Sequence, residues 1–464
     1  MSAPSVSATG AIPRLIIGLG ATGLATARYC QRRHWSFDLC DTRAEPPGVD
    51  QVRAAFPEAN VYTGSLSADL LCRYQQLVVS PGVALSTPAL QQAMANGVSV
   101  VGDVELFLQV CRRPVIAITG SNGKSTVTRL VACLLEAAGY QVEVGGNIGI
   151  PVLDLLEHPQ PDFYVLELSS FQLETTFSLK AAASVLLNFS EDHMDRYPGM
   201  AEYLSAKQRI FQHCQAVVVN RDDPASSPPN TTLQPLTFGL SDPAIQNPDA
   251  HQNDYGLRQG SCEGKQGWWI VKGQTCLVHS SHIALKGKHN LSNVMAGLAL
   301  LDACGVNSQE AWPALAEFKG LSHRCQFIDS IEGVDFINDS KGTNVGSTLA
   351  AIDGLASDSG SYVHLLLGGD GKGQNFSPLV AALQRLRVKA YCYGESAAVL
   401  APLLSDVTSC QSTSTLDEAL ALAMEAALAG DTVLLSPACA SFDQYASYVE
   451  RGHHFETLVR NRGT

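Results

Sequence analysis

The residues best equipped for chemistry stand in Thr119-Gly120-Ser121-Asn122-Gly123-Lys124-Ser125-Thr126, directly behind the apolar run Val115-Ile116-Ala117-Ile118. A strand, a glycine turn and a helix in that order aim backbone N–H groups at an anion. Here the turn also carries a lysine for β/γ-phosphate charge and a serine hydroxyl for Mg2+. Ile118 occupies the place where the general phosphate-loop pattern has its first glycine, and Gly120 supplies the early glycine instead. Glu167 ends the apolar run Tyr164-Val165-Leu166, so its carboxylate should emerge at the C-terminal edge of a parallel sheet, where ligands bind. A metal role is expected for it. His193, among Glu191, Asp192 and Asp195 behind Val185–Leu187, reads either as a metal ligand or as a solvated loop.

A second glycine loop, Gly18-Leu19-Gly20-Ala21-Thr22-Gly23, follows Leu15-Ile16-Ile17, and Asp41 closes the next apolar run. This matches the dinucleotide fingerprint and reads as NAD or as another phosphate-bearing nucleotide, with Thr42-Arg43 adding polar groups. A phosphate loop has no evident use in hydride transfer, which weakens an oxidoreductase. The pair of loops suggests a nucleotide triphosphate acting on a second phosphate-bearing substrate. A nucleotide switch is a rival, because Asn220-Arg221-Asp222-Asp223 loosely resembles a guanine-reading loop with arginine for lysine.

Three further polar strings each follow an apolar run: Asn338–Asn344, Gly368–Gly373 and Ser436–Ser441. At the ends of parallel strands they would form one rim that, with His323-Arg324, suits an anionic small molecule.

These loops need strands and helices to hold them, and the periodicity supplies an alternating β-α pattern. Strands are expected at Leu15–Ile17, Phe37–Cys40, Leu77–Val79 and Val98–Val101, then at Val115–Ile118, Phe163–Leu168, Ser184–Leu187 and Ala216–Val219. A third series covers Phe327–Asp329, Phe336–Asn338, Val363–Leu367, Ala390–Tyr393 and Thr432–Leu435. Helices are expected at Thr22–Arg33, Pro88–Ala95, Lys124–Ala138, Leu291–Ala303 and Gln309–Phe318, and residues 222–281 read as loops and short antiparallel strands. The fold class is α/β in three domains: a Rossmann-like domain at 1–101, a P-loop ATPase-like domain with a mostly parallel sheet at 102–320, and a second Rossmann-like domain at 321–464.

The length of 464 residues fits about three domains. A net charge of −13 argues against nucleic acid as a partner. The thirteen cysteines include no Cys-x-x-Cys, and Cys40, Cys72, Cys133 and Cys304 lie in apolar stretches, so most read as reduced core residues. Residues 1–13 lack a basic residue and a long apolar run, so neither a secretory signal nor membrane insertion is expected. A cytoplasmic monomer is expected.

The 119–125 string, Glu167 in Glu-Leu-Ser-Ser-Phe-Gln-Leu-Glu, Glu191–Tyr197, Asn338–Asn344 and Ser436–Ser441 together resemble the Mur ligase family, over residues 14–460. The Glu167 and 191–197 strings and Asp41-Thr42-Arg43 are most similar to its D-glutamate-adding members. The Asp-Asn-Pro-Arg motif of the diaminopimelate-adding members is absent. The resemblance implies ATP-dependent amide synthesis in peptidoglycan precursor assembly. ATP would phosphorylate the terminal carboxylate of UDP-N-acetylmuramoyl-L-alanine, and the amine of D-glutamate would attack the acyl phosphate.

It further implies residue roles. Gly120, Ser121, Asn122, Gly123, Lys124, Ser125 and Thr126 would hold the ATP phosphates, with Asn290, Arg324 and Asp339 around adenine and ribose. Ser125 and Glu167 would serve one Mg2+, and His193 with a carbamylated Lys207 a second. By its residues alone, Lys207 reads as an ordinary helix-surface lysine. Lys341 would stand near the reacting phosphate, completing a catalytic set with Lys124, His193 and Lys207. Thr343, Lys372, Ser441 and Tyr448 would hold D-glutamate. Ala21, Thr22, Asp41, Thr42 and Arg43 would hold the uridine diphosphate, with Ser80, Gly82 and Asn147 nearby. The chain departs from the family pattern at Ser121, Gly342 and Tyr448, where threonine, alanine and phenylalanine are usual.

Overall fold

The structure is a computed structural model that describes residues 13–243, 254–262, 264–285, 287–355 and 361–462. Short apolar runs bounded by glycine turns satisfy their backbone by pairing on both sides, and helices must then cover both faces. β1 (Arg14–Ile17) does this at the centre of a parallel sheet with β2 (Phe37–Asp41), β3 (Val61–Thr63), β4 (Gln76–Val79) and β5 (Ser99–Val101), in the order β3-β2-β1-β4-β5.

A second parallel sheet holds β6 (Val115–Thr119), β7 (Val142–Gly146), β8 (Phe163–Glu167), β9 (Ala183–Leu186), β10 (Val217–Asn220) and β11 (Leu236–Phe238), in the order β11-β10-β9-β6-β8-β7. Both glycine loops therefore follow the strand at which the winding reverses, the place where open α/β sheets leave a crevice. Helix Lys124–Ala137 buries Val127, Leu130, Val131, Leu134 and Leu135, a stripe at helical spacing that packs on helix Lys288–Ala303. Gly139, at φ 89°, ends it in the left-handed region.

Residues 222–281 do contain short antiparallel strands: β12 (Tyr255–Cys262), β13 (Lys265–Lys272) and β14 (Thr275–His279). Eleven of the thirteen cysteines are free, as expected of most, while Cys262 and Cys276 are joined by a disulfide. Two expectations need correction. Cys72 is exposed rather than a core residue. The segment Gln309–Phe318 is not one helix but a 3-10 turn, Ser308–Ala311, and a short α-helix, Ala314–Glu317. Pro313 lies between them, lacking the N–H that a continuous helix would need there.

The last sheet has the order β15-β16-β20-β17-β18-β19, from β15 (Gln326–Ile331), β16 (Val334–Asn338), β17 (Val363–Gly368), β18 (Val388–Tyr393), β19 (Cys410–Ser412) and β20 (Thr432–Leu435). β15 runs antiparallel to β16, and the remaining pairs are parallel. Because β16, β20 and β17 are neighbours, the three polar strings that follow them share one edge. Among the described residues no helix is long and apolar enough to cross a membrane.

A single buried cluster runs from Ile16 and Leu19 in the first domain to Leu153, Leu155 and Tyr164 in the second, so the first two domains share a core. Asp103 starts the helix Asp103–Val110 at this junction, 2% exposed, with one carboxylate oxygen unpartnered. Burial raises its pKa to about 6, against bonds from the backbone N–H groups of Asp103 and Val104. The folded state thus favours the neutral acid. Its penalty is absent below the unfolded value of 3.8, grows between 3.8 and about 6, and is constant above. Asp103→Asn is expected to stabilise the fold by about 2–3 kcal/mol at pH 7.5. The gain should vanish near pH 4, as read by paired thermal melts; an equal gain at both pH values would refute the assignment.

Candidate active site

The phosphate loop is built by β6 and by the turn after β9. Ser121 N–H donates to Asn188 O at 3.0 Å, and Asn122 N–H to Asn188 Oδ1 at 2.8 Å, so two adjacent strand ends set the loop's shape. Gly123 lies at φ 80°, and a Cβ there would stand 2.7 Å from Asn293 Oδ1. Only glycine fits. Lys124 Nζ donates to Gly120 O (2.8 Å) and Ser121 O (3.0 Å), folding the side chain over its own loop. Burial lowers its pKa, while Glu167 and Asp192 act to raise it.

Glu167 ends β8 at 2% exposure, as its place behind an apolar run requires. One carboxylate oxygen accepts Asn147 Nδ2 at 2.7 Å, and the other has no partner. A buried carboxylate oxygen left open in the cleft that the Ser125 hydroxyl and the phosphate loop also line fits a hard cation. Among the described residues no three His, Cys, Asp or Glu side chains gather in a metal-holding group. A cation here would therefore complete its shell from hydroxyl, phosphate or water oxygens.

Lys207 is not on a surface. It is 2% exposed, its Nζ donates to Gly120 O at 2.8 Å, and it lies 4.7 Å above the Tyr203 ring. Burial, then the charge of Lys124, drives its amine well below the usual lysine range. The helix Met200–Gln208 that carries it turns this position inward, against the glycine loop. His193 is in the left-handed region at φ 59°, and burial lowers its imidazole to about 4, so the ring is neutral at pH 7.

The third domain faces this loop across a cleft of about 920 Å³. Arg324 Nη2 donates to Ser125 Oγ at 2.6 Å. Lys372 Nζ meets Asp192 Oδ1 at 3.0 Å, and Asn344 Nδ2 bridges Asn122 Oδ1 and Asp192 Oδ2, each at 3.2 Å. Burial would raise the Asp192 carboxyl, but Lys372, His193 and Asn344 outweigh it and hold it at about 2. Burial, then Arg324 and Lys124, lowers Lys341 to about 8, and its Nζ sits 4.3 Å over the Tyr448 ring. Burial raises Asp339 to about 7, opposed by the Ser436 hydroxyl at 2.7 Å.

Of the residues expected to hold nucleotide, metal and amino acid, the cleft brings together Ser121 to Thr126, Glu167, His193, Lys207, Asn290, Arg324, Asp339, Lys341, Thr343, Lys372 and Tyr448. Gly120 lies just beneath, accepting from both lysines. Ser441 is not brought to the cleft. It is 2% exposed, and its carbonyl accepts the N–H of Gln444 and Tyr445.

The first glycine loop is a separate crevice. Gly18 lies at φ 104°, and a Cβ on Gly23 would stand 1.7 Å from Gly18 O, so the turn is too tight for a side chain. Asp41 accepts Leu19 N–H at 2.9 Å and holds Arg43 by two bonds of 2.8 Å. Those bonds from Arg43 keep its carboxyl at about 2. Both oxygens are thereby engaged, and the carboxylate fixes the Arg43 guanidinium at this sheet edge. Ser80 Oγ is buried against Gly18 with no partner, open to a ligand. Ala21, Thr22, Thr42 and Gly82 lie at this same sheet edge, whereas Asn147 is in the central cleft on Glu167. The guanine-reading loop is also taken apart: Asn220 and Arg221 side chains bond Leu187 O and Tyr255 O, each at 2.8 Å.

Comparison with known sequences matches residues 13–102 to the Mur ligase MurD-like N-terminal domain, 118–301 to the Mur ligase middle domain and 323–439 to the Mur ligase glutamate ligase domain. The chain belongs to the Mur ligase family. It is 45% identical over 446 residues to the UDP-N-acetylmuramoylalanine–D-glutamate ligase of Marinobacter nauticus, covering 96% of this chain and 97% of that one. It is 46% identical over 447 residues to the ligase of the same name from Pseudomonas syringae pv. tomato, covering 96% and 97%. Among solved structures, the UDP-N-acetylmuramate-alanine ligase of Thermotoga maritima shares the fold at a TM-score of 0.58 and 19% identity, covering 97% of this chain and 100% of that one.

Several residues of this Mur ligase that shape the cleft carried no assignment from the sequence. Asp192 and Asn344 sat in strings of interest but had no partners until the domains met. Tyr203, under Lys207, looks like any helix aromatic. Arg451 is fully buried in the helix Tyr448–Arg462. It donates to Ser340 Oγ and to the carbonyls of Ser340, Gly368, Cys439 and Ala440, tying all three rim loops together.

Proposed function

We propose that this Mur ligase joins D-glutamate to UDP-N-acetylmuramoyl-L-alanine at the expense of ATP, through an acyl phosphate. The observation that carries this reading is the single cleft in which Lys124 and Glu167 on one wall face Lys341 and Lys372 on the other. The names of its relatives support the substrate assignment.

In the first step the terminal carboxylate attacks the γ-phosphorus of ATP and ADP departs. Lys124 and Lys341 neutralise charge that builds on the transferred group, while backbone N–H groups of the loop hold the phosphates. Ser125 and Glu167 are the residues suited to one Mg2+, and His193 with a Lys207 carbamate to another; Mg2+ supplies charge neutralisation there. CO2 adds to the unprotonated amine, and burial beside Lys124 disfavours the protonated form of Lys207, which makes it a candidate for carbamylation. In the second step the amine of D-glutamate attacks the acyl carbon and phosphate leaves. Lys372, with Thr343 and Tyr448, would orient the acceptor's carboxylates. At the first crevice, Arg43, Ser80 and the glycine loop are the groups suited to the uridine diphosphate.

Phosphate release from ATP with UDP-N-acetylmuramoyl-L-alanine tests the reading. Release should require D-glutamate and fail with L-alanine, L-lysine or diaminopimelate; a preference for one of those would overturn it. Lys207→Ala is expected to cut the rate by about a hundredfold or more, with partial recovery on adding formate or acetate. A variant rate near that of the parent enzyme would remove the carbamate from the proposal.

A further inference from the structure

We propose that Arg196 is a positioning residue that couples the first glycine crevice to the His193 loop, so that seating the substrate's diphosphate handle sets the geometry of the distant phosphoryl-transfer site. The inference rests on the reading of the 18–23 loop as the cradle of that handle.

Arg196 belongs to the loop after β9 but reaches into the first domain. Its Nη2 donates to Pro81 O at 3.2 Å and Val83 O at 2.9 Å, and its Nη1 to Gly82 O at 3.4 Å. One guanidinium thus holds three successive carbonyls of the turn after β4. That turn begins at Ser80, whose buried, unpartnered hydroxyl lies against Gly18 and Gly23.

The other end of the connection is equally tight. Arg196 N–H donates to His193 O at 2.9 Å, and Tyr197 N–H to the same carbonyl at 3.1 Å, so Arg196 and His193 share one turn. The guanidinium carbon stands 4.3 Å from the Phe171 ring centre, and that ring lies 4.9 Å from the His193 imidazole. Among the described residues no carboxylate lies within ion-pair distance of Arg196. Its planar fork is committed to the carbonyls and the aromatic face, and displacement of the 81–83 turn pulls on His193 directly. His193 already holds a left-handed backbone that its surroundings must maintain.

The physical consequence is that binding energy gained at a part of the substrate that does not react is used to order the site that does. A purely structural surface clamp would instead alter stability alone. Three outcomes separate these. Wild type and Arg196→Gln are compared by steady-state phosphate release and by hydrogen exchange with and without UDP-N-acetylmuramoyl-L-alanine. In wild type the ligand should slow exchange at both residues 80–83 and 190–197; in the variant, at 80–83 only. The variant's kcat should fall about tenfold while its KM for ATP stays within about twofold, and Arg196→Lys should recover only part, since an ammonium cannot span three carbonyls. If wild type releases phosphate and the variant still protects 190–197, with kcat unchanged, the coupling is overturned and the ligase reading stands. If wild type releases no phosphate with these substrates, the ligase reading fails and the coupling falls with it.

Discussion

Lys124→Ala should lower ATP turnover by about a thousandfold or more while leaving the fold in place. The lysine has no ion-pair partner among the described residues; it is held by the carbonyls of Gly120 and Ser121. It is buried enough that its charge is disfavoured, and Glu167 and Asp192 only partly offset this. A cation kept in such surroundings is ready for an anion that brings more charge than those carboxylates do. Alanine removes the lysine's bonds to two loop carbonyls, of which Gly120 O keeps Lys207, at a cost of about 1 kcal/mol. Thermal melts should therefore move little while phosphate release collapses. A rate within tenfold of the parent enzyme would make the phosphate-loop assignment untenable.

The second large effect is expected at Arg451. Arg451→Met removes every donor that ties Ser340, Gly368, Cys439 and Ala440 together, leaving buried acceptors from three loops without partners. Loss of one member of a buried polar network costs about 3–5 kcal/mol. The cost should fall on the third domain, so its unfolding should separate from that of the first two in calorimetry. Because the loosened loops carry Lys341, Thr343 and Lys372, the KM for D-glutamate should rise at least about tenfold at temperatures where the variant is still folded. The phosphates of ATP are expected at Gly120–Thr126 on the opposite wall, so the KM for ATP should rise less than that for D-glutamate. A single unshifted transition with an unchanged KM for D-glutamate would show that the rim loops hold their shape without Arg451.

Central strands and glycine loops were legible in the sequence because their information is local. β1, β6 and β8 contain the apolar runs Leu15–Ile17, Val115–Ile118 and Tyr164–Leu166, and each becomes a buried strand with a glycine loop or an acidic residue at its C-terminal end. The edge strands β3, β7 and β19 escaped notice. They are short and only partly buried, so their composition resembles that of loops. The break at Pro313 was legible in principle, since proline removes a helical donor, but the flanking apolar pattern outweighed it.

The third domain shows the same division. Three polar strings behind three apolar runs identified a rim, yet Ser441 is buried away from the cleft lining, and Arg451, which no motif singled out, ties the rim loops together. Lys207 changed most: an exposed lysine by sequence pattern, it is a buried amine against Gly120 in the fold. The grip of Asp41 on Arg43 through both of its oxygens also depends on side-chain geometry that the loop's spacing does not state.

By itself the sequence determined what depends on neighbours along the chain: the α/β class, the two phosphate-cradling turns and the carboxylate at the end of β8. Backbone sterics at glycine and the two-residue period of strands act over a few residues, so they can be read in order. Tertiary structure alone decided the pairing of Asp192 with Lys372, the low pKa of Lys207 and the reach of Arg196 and Arg324 across domains. Those depend on burial and on charges brought close from distant segments, and neither quantity exists until the domains have packed.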